Sequence, residues 1–129
     1  MSRGRVLLLE DDLALCSLLE EALGSEELEV ETCDSFESLY ARASSRRGDV
    51  VVADFWGGAH RALDDVARQQ LHELGSVLPL VLLTGRSWAV GTTAGELGVR
   101  AVIHKPFDLN ELIETVNQIL QSARNPPSS

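Results

Sequence analysis

The chain has 129 residues, 44% of them apolar and 24% charged, with 11 basic against 20 acidic side chains and a formal net charge of -9. That length supports one domain around one core, and the apolar fraction excludes wholesale disorder. The acidic balance argues against duplex DNA or an anionic membrane as a direct partner, since both would repel it.

Val6-Leu7-Leu8-Leu9 is a continuous apolar run stopped by Glu10-Asp11-Asp12. It is too short for a signal-peptide core or a membrane span and reads as a strand. Leu15, Leu18, Leu19, Ala22 and Leu23 then recur at helical spacing up to Gly24. Leu28 to Thr32 alternates apolar and polar residues, the pattern of a half-covered strand. Ser35 is placed to cap a helix carrying Phe36, Leu39, Tyr40 and Ala43, and Ser44 to Gly48 breaks it. Val50 to Ala53 is the second continuous run, ending at Asp54. A Gly57-Gly58 loop precedes a helical stripe of Leu63, Val66, Ala67, Leu71 and Leu74.

Pro79 introduces Leu80 to Leu83, which stops at Thr84-Gly85. A short or mobile helix is predicted over Ser87 to Leu97, because Gly91, Thr92, Thr93 and Gly95 are poor helix formers. Val99 to Ile103 is the fifth predicted strand, stopped by His104-Lys105-Pro106. Asp108 caps a last helix marked by Leu109, Leu112, Ile113, Val116 and Leu120. Residues 1–124 thus form one predicted domain, and 125–129 a polar tail. Cys16 and Cys33 make neither a disulfide scaffold nor a zinc site and suit a reducing cytoplasm, the expected location. They are expected to be buried small side chains.

Strands continuous in apolar residues are covered on both faces, which implies a parallel sheet between two helix layers. The expected fold is a doubly wound α/β domain with Leu28 to Thr32 at an edge. Ligands of such sheets bind beyond the carboxyl ends of the strands. Those ends carry Glu10-Asp11-Asp12, Asp54, Thr84 and Lys105. Carboxylates meeting there would repel one another unless a cation sits among them. An oxygen-only donor set favours Mg²⁺ over zinc. A lysine and a hydroxyl supply donors for an incoming anion, and together these groups describe a phosphoryl-transfer site.

The chain resembles a response-regulator receiver domain, the phosphoacceptor half of bacterial two-component signalling. The pieces that carry the resemblance are Leu7-Leu8-Leu9-Glu10-Asp11-Asp12, Val51-Val52-Ala53-Asp54, Leu82-Leu83-Thr84-Gly85 and His104-Lys105-Pro106-Phe107, in order across residues 5 to 121. The resemblance implies a flavodoxin-like five-stranded sheet in the order 2-1-3-4-5 with five helices. It implies that Asp54 takes a phosphoryl group from a phosphohistidine on a sensor histidine kinase or phosphotransfer protein. Asp11 would touch Mg²⁺ directly, Glu10 through water, and the carbonyl of Trp56 would add a ligand. Thr84 matches the switch hydroxyl. Lys105 matches the lysine that pairs with a phosphoryl oxygen, with its bond to Pro106 expected cis. Phosphorylation would then reshape the face of the fourth helix, fifth strand and fifth helix, which would dimerise or bind a downstream protein. The only chemistry implied is the domain's own phosphorylation and dephosphorylation. No direct nucleic-acid or membrane contact is expected, and both a stand-alone regulator and a receiver cut from a longer protein fit the chain.

Two departures from the family pattern stand out. Phe55-Trp56-Gly57-Gly58 lacks the usual proline after the aspartate. Trp56 and Arg86 occupy the positions that tune self-dephosphorylation in the family, and a tryptophan there is expected to slow it. Val102 stands where the family usually has an aromatic switch, and valine has no ring to swing. Signalling then uses Thr84 and the Ser87 to Leu97 segment alone, or an altered switch in which Trp88 substitutes.

The plainer readings are a capping role for Glu10-Asp11-Asp12, a turn role for Asp54 and a solvated charge at Lys105. His60, His72 and His104 are scattered and suggest no metal site, and His104 suits an edge-strand surface. A receiver-like interaction module that does not use phosphorylation is the main alternative. A flavodoxin-like cofactor protein would need a Ser/Thr-rich loop where this chain is acidic. A dehalogenase-type phosphatase would need Asp-x-Asp after the first strand, which Glu10-Asp11-Asp12-Leu13-Ala14 does not provide.

Overall fold

The computed structural model describes residues 4–45, 47–54, 65–85 and 93–124. Trp56, the Gly57-Gly58 loop, Arg86, Trp88 and the tail at 125–129 lie outside the described residues. Within them the chain runs β1 (Gly4–Glu10), α1 (Leu13–Gly24), β2 (Leu28–Thr32), α2 (Phe36–Ser44), β3 (Val50–Asp54), α3 (Asp65–Val77), β4 (Leu80–Thr84), α4 (Ala94–Leu97), β5 (Ala101–His104) and α5 (Leu109–Arg124). The strands form one parallel sheet in the order β2-β1-β3-β4-β5. This is the five-stranded α/β fold expected from the sequence, with the alternating strand β2 at one edge.

Successive residues of a strand face opposite sides, so each continuous apolar run feeds two cores. Leu7, Leu9, Val51, Ala53, Leu80 and Leu82 pack toward α2, α3 and α4. Val6, Leu8, Val50, Val52, Val81 and Leu83 pack toward α1 and α5. Every residue of β3 and β4 is buried, whereas β2 buries only Leu28. The helical stripes are narrower than the sequence suggests. Leu19 and Leu23 of α1 and Ala67, Leu71 and Leu74 of α3 are buried, but Leu18 and Val66 are exposed.

Side-chain caps fix where helices begin. Asp12 accepts from Leu15 N–H (3.1 Å), Ser35 from Ser38 N–H (3.1 Å) and Asp108 from Asn110 N–H (2.8 Å). The described part of the predicted fourth helix is a single short turn. Its end corrects one sequence boundary, because β5 starts at Ala101 and not at Val99. Gly98 takes the left-handed conformation, φ 72°, and its N–H donates to Gly95 (3.2 Å) while Val99 N–H donates to Ala94 (3.1 Å). This is a Schellman cap, and Val99 is buried as its hydrophobic residue rather than as part of a strand.

Cys33 is buried toward α2, whereas Cys16 is only half-buried and packs on the other side of the sheet. Among the described residues no helix is long and apolar enough to cross a membrane.

Candidate functional site

Each chemically distinctive residue is the last of its strand or next to it. Parallel register places Glu10 opposite Asp54 on adjacent strands. Both are 7% exposed and Thr84, the last residue of β4, is 1% exposed. Asp11 follows β1 and is exposed. One carboxylate oxygen each from Glu10, Asp11 and Asp54 lie within 4.8 Å of one another.

Lys105 enters from the far edge. β5 ends at His104, paired with Thr84, and the Lys105 N–H donates to the Thr84 carbonyl at 2.7 Å. The Lys105–Pro106 peptide is cis, as expected. The Lys105 ammonium donates to Glu10 Oε1 at 2.8 Å and also bonds Asp54 Oδ2. The sequence placed Lys105 beside a phosphoryl oxygen only. Its bond to Glu10 has no signature in the sequence, because it depends on how far two unpaired strands advance toward the same edge.

The acidic triplet divides its labour. Asp12 caps α1 and Glu10 Oε2 accepts the Asp12 N–H at 3.1 Å, which orients the Glu10 carboxylate. The capping reading therefore holds for Asp12, while Glu10 and Asp11 each bring an oxygen into the cluster with Asp54. Burial pushes the Glu10 carboxyl above its ordinary 4.5, and the Lys105 hydrogen bond offsets this only in part. For Lys105 burial works to lower the value, but the bonds to Asp54 and Glu10 outweigh it, so the ammonium is held charged above 10.5.

One ammonium stands against three carboxylates at this edge, a charge balance that a small hard cation would complete. An all-oxygen set of three neighbouring carboxylates suits Mg²⁺. A cleft of about 690 Å³ runs from this pocket between α1 and α2, lined among others by Glu10, Asp11, Leu13, Cys16, Cys33, Asp34 and Arg42. Leu13 at its rim is 81% exposed. Val102 pairs with Leu82 and is half-buried against the α3 and α4 side of the core. Pro106 and His104 are exposed. Trp56 and Arg86, the remaining expected site residues, fall outside the described residues.

The family model of the response regulator receiver domain matches residues 6–117. The chain belongs to this family. Among curated relatives of the receiver domain is a DNA-binding transcriptional regulator, NtrC, of Azospirillum brasilense, 27% identical over all of this chain and 26% of that protein. A CpxR homolog of Haemophilus influenzae is 28% identical over 98% of this chain and 54% of its own length. The chain thus spans about a quarter of the NtrC relatives it matches. Among solved structures, a CheY-like receiver domain protein of Methanospirillum hungatei superposes with a TM-score of 0.75 at 20% identity, covering 95% of this chain and 98% of that one. NtrX of Brucella abortus, solved with ATP, gives 0.74 at 24% identity over 95% of this chain and 28% of that one. At these identities the structures bear on the fold alone.

Proposed function

We propose that this receiver domain accepts a phosphoryl group on Asp54 from a histidine kinase or phosphotransfer protein. The observation that carries the reading is the meeting of Asp54, Glu10, Asp11 and Lys105 at one strand edge, with Thr84 buried beside them. Glu10, Asp11 and Asp54 would hold Mg²⁺, with the Trp56 carbonyl as a further ligand. The ion would neutralise charge that develops on the transferring group.

The protein's own groups do the rest. The Asp54 carboxylate is the nucleophile, and one phosphoryl group is gained as the donor's phosphorus–nitrogen bond breaks. Lys105 is already charged and within reach of Asp54, so it takes a phosphoryl oxygen without waiting for a proton. The Thr84 hydroxyl follows the phosphoryl group, and with Arg86, Val102 and Pro106 modulating, the α4-β5-α5 surface changes its fit for a downstream protein or a second copy. Residues 1–124 would act as the regulatory unit, in the cytoplasm, with 125–129 as a tail. No chemistry on another substrate is assigned to it.

The test is incubation with acetyl phosphate and Mg²⁺ followed by intact mass. A gain of one phosphoryl group that needs Mg²⁺ and vanishes in Asp54→Asn supports the reading. An unchanged mass sinks it and leaves a binding module that works without phosphorylation.

A further inference from the structure

We draw no further inference here: the strongest candidate, the cleft between α1 and α2 lined by Arg42, Glu20 and Asp34, carries nothing, because its acidic end belongs to the carboxylate site already described and the Arg42 Nε and Nη1 donors are buried beside Glu31, out of reach of a ligand in the cleft.

Discussion

The Lys105 ammonium lies 2.8 Å from Glu10 Oε1, although the two residues are 95 positions apart and β3 and β4 separate their strands. Lysine's length closes that gap, and the same ammonium also bonds Asp54. With a fully buried Glu10 side chain, this pair balances part of the carboxylate charge without any metal ion. Removing one partner of a buried pair leaves an uncompensated charge. Lys105→Met is therefore expected to lower the stability of the metal-free domain by about 3 kcal/mol at pH 7. The loss should shrink as pH falls and Glu10 protonates. Urea unfolding in steps from pH 7 down to pH 4, below the ordinary value of 4.5, checks this, and a loss that stays constant over the whole range would show that charge at Glu10 is not the cause.

The raised Glu10 carboxyl would also link pH to the proposed metal site. Its value in the folded domain lies above the ordinary 4.5 because burial disfavours the carboxylate. This contribution to stability is fully present below pH 4.5 and is lost as pH rises through the folded value. Mg²⁺ needs the ionised form and competes with the proton. Its stabilising effect is expected to be small near pH 4.5 and to grow as pH rises through the Glu10 titration. Magnesium at about 100 times its dissociation constant should then add about 2.7 kcal/mol. Thermal unfolding with and without Mg²⁺ over this pH range reads the effect. A magnesium shift that is already complete at pH 4.5 would remove Glu10 from the metal set.

Much of this was legible in the chain because the sheet is covered on both faces. Val6–Leu9, Val50–Ala53 and Leu80–Leu83 each present an unbroken apolar run, and each ends at a residue of the site. Val99 misled for a physical reason: it is apolar because it closes the cap of α4, and a cap residue and a strand residue look alike in one letter. Leu18 and Val66 fit a helical stripe but face outward, since periodicity marks a face without saying how far the neighbours cover it. The Lys105–Glu10 bond was invisible, because it depends on a distance between elements that no local pattern records.

The two cysteines should differ in access but share a low reactivity. Burial raises both thiols above their ordinary 9.0, with Glu20 adding to the effect at Cys16. Fewer thiolates are present at neutral pH, and the thiolate is the nucleophile. Iodoacetamide is expected to label Cys16 slowly at pH 7 and faster as pH rises beyond 9.0. Cys33, 8% exposed, should follow only on unfolding. Peptide mass mapping of a time course separates the two. Rapid labelling of Cys33 at pH 7 would contradict its buried placement.

Asp12 separates the capping role from the proposed metal role within one acidic run. Its carboxylate accepts the Leu15 N–H, and the Asp12 N–H is spent on Glu10. Asp12→Ala removes the cap but keeps the backbone bond to Glu10, so it is expected to cost about 1 kcal/mol of stability. Asp12→Asn retains an accepting oxygen and should cost much less. Neither should weaken Mg²⁺ binding by more than the loss of one nearby charge, about 2-fold to 5-fold at physiological salt. Asp11→Ala should instead abolish most of it, because Asp11 supplies one of the three clustered oxygens. Urea unfolding paired with Mg²⁺ calorimetry on the three variants distinguishes the roles. If Asp12→Ala loses the metal as fully as Asp11→Ala does, the carboxylate at 12 is a ligand and the division of the triplet drawn from its hydrogen bonds is wrong.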